Sequence, residues 1–268
     1  MCQGKLKKAL IDPLSSLVLQ CCAWVVILTF VLAIMTATAG AREKLRTIVI
    51  DPGHGGSDHG ITGPTQLLEK NITLAVAELI VKERKGIYRV VLTRTGDYGL
   101  SLYERTAVAN NQRADLFISI HAGGSFSQQK TGCTIYYYKK ASPGGTYTSK
   151  KLPDPESFPV APIPWDSCQI VHVPESKAAA KIIASYLSNP FHAAGSPLKT
   201  DIKGYPLTVL SGADMPALLM EIGHMTNPQE EKNLSTNKYL SEIANKICKG
   251  IDRFFSKKNK ANKPDEWV

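Results

Sequence analysis

Two histidines and one carboxylate stand in this 268-residue sequence where strands give way to turns, and a second carboxylate stands at the entry of a helix, places at which side chains from distant segments can converge. His54 belongs to the stretch Thr47 to Gly56, Thr-Ile-Val-Ile-Asp-Pro-Gly-His-Gly-Gly, an apolar run that ends in a turn. His121 closes the run Leu116 to Ile120 in Ser-Ile-His-Ala, and Glu221 follows Ala217 to Met220 in Met-Glu-Ile-Gly. Glu69 opens a helical pattern after the glycine-rich loop. Two imidazoles and one carboxylate, His54, His121 and Glu69, make a catalytic zinc set: three protein ligands leave the fourth tetrahedral position open, whereas a structural site is closed by four. Glu221 is then a second carboxylate free to move protons.

Each residue alone has a simpler explanation. A histidine in a glycine loop can be a turn residue, and an acid before a helix can do no more than complement the helix N-terminus. A histidine ending a buried strand needs a hydrogen-bond partner or a ligand, and a carboxylate there is expensive to bury unpaired. What separates the readings is whether the four meet.

The elements that would make them meet are legible as an alternation. Ile48 to Ile50 is a continuous β-branched run, as in a strand buried on both faces. A helix is expected from Asn71 to Lys85, with Ile72, Ala75, Val76, Leu79 and Ile80 on one face, then a strand at Tyr88 to Leu92. A helix at Ser101 to Gln112 leads to the strand at Leu116 to Ile120, and Thr134 to Tyr138 reads as another strand. Ser176 to Leu187 reads as a helix, Leu207 to Leu210 and Ala217 to Met220 as strands, and Asn237 to Phe254 as an amphipathic helix before a polar tail. Strands alternating with helices imply an α/β fold: a mostly parallel central sheet with helices on both faces, in a single domain. Parallel strands present their carboxyl ends on one edge, where ligands bind.

Seven prolines between Pro143 and Pro174 interrupt the pattern, so residues 139–174 are expected to form a loop insertion rather than a long helix or central strand. The first 41 residues are set apart from the domain. Lys5, Lys7 and Lys8 precede an apolar run from Leu17 to Met35, followed by Ala37-Thr38-Ala39, the pattern of an export signal. The run is also close to the roughly 20 residues that span a bilayer, so a cleaved signal and a membrane anchor through residues 17–35 both fit. Either places everything after Ala41 outside the cytoplasm, with the catalytic domain at 42–256 and a polar tail at 257–268.

The formal charge is +9, but the lysines are scattered and carry no arginine–aromatic repeat, which argues against nucleic acid as a partner. Of six cysteines, Cys2, Cys21 and Cys22 fall in the leader. Cys133, Cys168 and Cys248 contain no C-x-x-C, so neither a cysteine zinc cage nor a disulfide framework is supported; export would permit one bridge, Cys133 to Cys168.

A second chemistry is written more faintly. Ser127-x-x-Lys130 overlaps Lys130-Thr131-Gly132, and Ser196-x-x-Lys199, Ser235-x-x-Lys238 and Ser235-Thr236-Asn237 also occur, echoing penicillin-sensitive serine enzymes. One lysine cannot serve both overlapping motifs, and Gly132 has a plainer role as a turn before a strand.

From Thr47 to about Leu240 the sequence resembles the zinc-dependent N-acetylmuramoyl-L-alanine amidases. The motifs that carry the resemblance are Ile50 to Gly56, Leu68-Glu69-Lys70-Asn71, Leu92-Thr93-Arg94-Thr95 with Asp97, Leu102-Tyr103-Glu104-Arg105, Ala109-Asn110, Ala114 to Ala122, and Met215-Pro216-Ala217 through Glu221-Ile222-Gly223 to Thr226-Asn227-Pro228. The resemblance implies that His54, Glu69 and His121 ligate zinc, that Glu221 is the catalytic carboxylate, and that the substrate is peptidoglycan, cut between N-acetylmuramic acid and L-alanine. It names no activating protein. Two positions depart from the family pattern: Gly123 stands where asparagine is usual, and His224 where an apolar residue is usual, which makes His224 a candidate partner or proton shuttle. His59 reads as a solvated loop residue. Some relatives carry an inhibitory helix, which the proline-rich segment cannot form, so an open or loop-gated site is expected. A wall-binding domain without catalysis would be expected to lack one of the four residues, and none is missing.

Overall fold

A computed structural model of the chain describes residues 23–30, 45–126, 128–140, 168–189 and 198–261. The chain divides into two units, 1–44 and 45–268. In the first, residues 23–30 are helical and exposed. Among the described residues no helix is long and apolar enough to cross a membrane, and the rest of the 17–35 run lies outside them.

The second unit is built on six strands: β1 (Thr47–Pro52), β2 (Arg89–Leu92), β3 (Leu116–Gly123), β4 (Cys133–Tyr138), β5 (Thr200–Tyr205) and β6 (Ala217–His224). Their order in the sheet is β2-β1-β3-β6-β4-β5. All neighbours are parallel except β4 and β6, which run antiparallel. The mostly parallel sheet read from the sequence is therefore present, with one reversed pair near its far edge.

Helices cover both faces, because the central strands carry apolar side chains on both. Ile48, Ile50, Leu116, Ile118, Ile120, Leu218, Met220 and Ile222 pack on one side with α1 (Glu69–Arg84), α3 (Val173–Leu187) and the C-terminal helix α6 (Asn237–Ala261). On the other side Val49, Phe117, Ala217 and Leu219 pack with residues of α2 (Leu102–Asn111) and the short α4 (Thr208–Ser211). Burying one such side chain contributes roughly 1.5–3 kcal/mol, so these two layers hold the sheet in register. α2 starts at a capping box in which Ser101 and Glu104 exchange hydrogen bonds.

Several boundaries differ from the sequence reading. Residues Leu207 to Leu210, expected as a strand, lead into and form most of α4; a short apolar run does not distinguish a strand from a helical turn, and Gly212 ends it. β5 was not anticipated, since Thr-Asp-Ile-Lys-Gly-Tyr lacks apolar alternation, but an edge strand needs only one partner and tolerates polar residues. α5 (Pro228–Leu234) was also missed; Asn227 caps it by accepting hydrogen bonds from the Gln229 and Glu230 amides. α6 continues to Ala261, past the expected start of the tail at 257, with Phe254 and Phe255 buried and Lys258 paired to Glu175 at 2.6 Å.

Pro174, the last proline of the rich segment, lies in the first turn of α3, where its missing amide hydrogen costs nothing. Residues 141–167 of that segment are outside the described residues. The Cys133–Cys168 bridge is absent: both are free, Cys133 being buried in the core beneath α6 and Cys168 half-buried outside it.

Candidate active site

The C-terminal edge of β1 and β3 is where the four candidate residues gather. β1 delivers the loop Gly53 to Gly56, whose carbonyls leave the sheet without strand partners. Two buried guanidiniums take them up. Arg94 donates to the carbonyls of Pro52 at 3.0 Å and Gly53 at 2.8 Å, and also to Lys70 at 2.8 Å, tying the loop to the start of α1. Arg105 donates to Pro52 at 2.9 Å and His54 at 3.0 Å. Arg105 is itself fixed by Asp51 at 2.8 Å, and Asp51 accepts further hydrogen bonds from Thr93 and Ser119. Asp51 is fully buried, so this pairing is what makes its charge tolerable there.

His54 sits in this loop with φ of 62°. A left-handed backbone is strained for a non-glycine residue, and such strain persists where the surroundings over-determine it. Its Nδ1 is 2.8 Å from Asp58 Oδ2, a contact that orients the ring and leaves Nε2 toward the other candidate donors. Nε2 faces Glu69 Oε2 at 3.0 Å.

Glu69 is almost fully buried at the start of α1. Its Oε2 accepts from the Ile61 amide at 2.8 Å and its Oε1 from the Ala122 amide at 2.9 Å, so both oxygens are held by backbone. His121, at the end of β3, points Nδ1 at Oε1 from 3.0 Å. The His54 and His121 rings meet edge to face with centroids 4.8 Å apart. The three residues offer donor atoms that all lie within 4.8 Å of one another, a group able to hold a metal ion.

The charge state of Glu69 agrees with that use, and both histidines answer to its charge. Burial alone would raise Glu69, but the hydrogen bonds and charges of His121 and His54 outweigh it and bring its pKa down to about 2. Burial would lower His54, but Glu69 and Asp58 outweigh it, and its pKa is raised. The donor set carries one negative charge, two imidazoles and little room. A Cβ on Gly53 would press against the His121 ring, 2.6 Å from Nε2, and a Cβ on Gly60 would lie 2.5 Å from Glu69 Oε2. Glycine backbone therefore packs directly against the donors, and the set fits a small divalent cation with nitrogen and oxygen ligands, as zinc takes.

Glu221 lies beside this group because β6 pairs with β3 in a register that sets it opposite His121. It is half-buried, and its Oε2 is a buried atom with no hydrogen-bond partner among the described residues. Its pKa is raised: burial disfavours the charge and Glu69 repels it, against the attraction of His121, Lys130 and His54. A carboxylate whose basicity is raised by burial, beside a group able to hold a cation, is a candidate general base.

All four residues singled out from the sequence are thus brought to one place. Asp58, Arg94 and Arg105 were not given roles, although Asp58 stands one loop turn after His54 and the two arginines belong to motifs already noted. His59 is exposed and takes no part in the donor group. The serine chemistry finds no support. Ser127 and Ser196 lie outside the described residues, and the exposed Ser235 donates to the Lys232 carbonyl at the end of α5. Gly132, with φ of 91°, is the turn before β4 and donates to Glu230 at 2.6 Å.

A family model for N-acetylmuramoyl-L-alanine amidases matches residues 48–253. The chain is 30% identical over 233 residues to the N-acetylmuramoyl-L-alanine amidase AmiC of Escherichia coli, covering 80% of this chain and 54% of that protein. It is 29% identical over 226 residues to AmiA of Escherichia coli K12, covering 78% and 76%. The chain thus spans about half the length of the AmiC relatives it matches. Among solved structures, the N-acetylmuramoyl-L-alanine amidase of Clostridium difficile 630 superposes with a TM-score of 0.64 at 27% identity, over 81% of this chain and all of that one. The match runs from β1 into the last helix and includes every strand that positions the site, so the chain belongs to the N-acetylmuramoyl-L-alanine amidase family.

Proposed function

We propose that this protein is a peptidoglycan hydrolase that cuts the amide between the lactyl group of N-acetylmuramic acid and L-alanine, with zinc held by His54, Glu69 and His121 and with Glu221 as the catalytic carboxylate. The observation that carries the reading is the convergence of those three donors within 4.8 Å. When bound there, zinc supplies Lewis-acid polarisation of the scissile carbonyl and lowers the pKa of a water to about 7.

The residues then divide the work. His54, its ring oriented by Asp58, and His121, seated over Gly53, present nitrogen lone pairs. Glu69 contributes the one negative charge and cannot swing away from its two backbone amides. Glu221 accepts the proton of the attacking water on its carboxylate and returns it to the departing L-alanine amine. Its raised pKa makes it the stronger base for the first transfer.

Residues 1–41 are an export leader, either removed or retained as an anchor through 17–35; 42–256 form the catalytic domain, with the insertion at 139–174 as a loop. The protein works outside the cytoplasm on wall peptidoglycan.

The test is digestion of purified muropeptides and intact sacculi by the purified chain, with zinc and with chelator, followed by mass analysis. Release of stem peptides with a free L-alanine amine, abolished by chelator and restored by zinc, is the expected result. Loss of only a terminal D-alanine, insensitive to chelator and blocked by penicillin, would overturn it. Binding to sacculi without any product would mark a wall-binding domain instead.

A further inference from the structure

Four buried side-chain atoms have no hydrogen-bond partner among the described residues, and two of them, Glu221 Oε2 and His224 Nδ1, come from the same end of β6. Two residues three apart on a regular strand point to opposite faces. Here the register shifts: His121 pairs with Glu221, but Gly123 pairs with His224, so two steps on β3 oppose three on β6. Such a bulge re-aims a side chain, and it brings both groups against one glycine. A Cβ on Gly123 would overlap Glu221 Oε2 and approach His224 Nδ1 to 3.0 Å. The carboxylate and the imidazole can share that space only because residue 123 has no side chain.

His224 is also held in place independently of its ring. Its amide donates to Glu230 Oε2 at 2.6 Å, and its carbonyl accepts from the Asn227 amide at 3.0 Å. Glu230 is pinned in turn by the Gly132 amide. The imidazole is 2% exposed and is kept neutral by burial and by Lys130 and Lys203, so it carries a single N–H. A buried donor and a buried acceptor left unpaired side by side are each costly, and a hydrogen bond between them relieves both.

We infer that His224 is a positioning residue that donates from Nδ1 to Glu221 Oε2 across the face of Gly123 and aims that carboxylate during proton transfer. This rests on the reading of Glu221 as the catalytic carboxylate. A misaimed base loses rate without losing substrate binding.

The test compares the full chain with His224→Phe, His224→Asn and Glu221→Ala on purified muropeptides, recording kcat, KM, bound zinc and Tm. Asparagine places an amide N–H near the position of Nδ1, whereas phenylalanine fills the space without a donor. Expected is a fall in kcat of about 10- to 100-fold in His224→Phe at unchanged KM and unchanged zinc content, with most of the rate recovered in His224→Asn. Full kcat in His224→Phe, or a His224→Asn as slow as His224→Phe, overturns the assignment even if Glu221→Ala is inactive. An active Glu221→Ala overturns the reading of Glu221, and this inference with it.

Discussion

His54 and His121 reach opposite oxygens of a single carboxylate: Nε2 of one is 3.0 Å from Glu69 Oε2, and Nδ1 of the other is 3.0 Å from Glu69 Oε1. The three groups come from the β1 loop, the start of α1 and the end of β3. No part of the chain supplies the site alone, so anything that disturbs the sheet edge disturbs the donor group.

Ligation and proton transfer should separate by mutation. His121→Ala removes a donor and is expected to lose both bound zinc and activity. Glu221→Ala is expected to keep zinc and lose activity by about 100-fold or more, the scale of a general acid–base contribution. Metal analysis beside turnover of a muropeptide checks both; near-normal activity in Glu221→Ala would show the assignment to be wrong.

Asp58 lies outside the donor group, yet its Oδ2 is 2.8 Å from His54 Nδ1 and holds the ring with Nε2 toward Glu69. Asp58→Ala is expected to weaken zinc affinity by about 10–100-fold while leaving the fold intact, because Asp58 is exposed and supports only its loop. Competition with a chromophoric chelator measures the affinity, and an unchanged value would contradict this role.

The buried pair Asp51–Arg105 carries the loop above it. Asp51→Ala leaves Arg105, which is 4% exposed, without its counter-charge and is expected to cost about 3–5 kcal/mol of stability. Urea unfolding of wild type and variant gives the difference. A loss under about 1 kcal/mol would mean that the hydrogen bonds of Arg105 to the carbonyls of Pro52, His54 and Leu100 hold the loop without Asp51.

Acid sensitivity should trace in part to His224. Burial, with Lys130 and Lys203 adding to it, lowers its pKa to about 4 from the ordinary 6.5. The folded state therefore favours the neutral ring more than the unfolded state does. That contribution, on the order of 3 kcal/mol, is fully present above about pH 6.5 and is lost as the pH falls toward about 4. His224→Phe should flatten that part of the stability curve; urea midpoints at a series of pH values through this window will show whether it does.

The central sheet was largely readable from sequence because its strands are continuous β-branched runs buried on both faces, and no other element accommodates Ile48-Val49-Ile50 or Leu116 to Ile120 so simply. β5 was not, since Thr200 to Tyr205 owes its extended form to pairing with β4 rather than to its own side chains. α4 shows the converse case: Leu207 to Leu210 is apolar enough for a strand, and its packing near α2 decides for a helical turn.

For the site, the sequence by itself determined the residue types at three strand ends and one helix start, and so singled out His54, Glu69, His121 and Glu221 as candidates. Their chemistry depends on atoms meeting within a few ångströms, and local patterns carry no such distances. Tertiary structure alone decided that Glu69 lies between two imidazoles, that Asp58 faces Nδ1 rather than solvent, and that a register shift between β3 and β6 turns His224 toward the same glycine as Glu221. The physical reason is that strand ends are specified by backbone pairing across the sheet, while the sequence specifies only what each strand brings to its end.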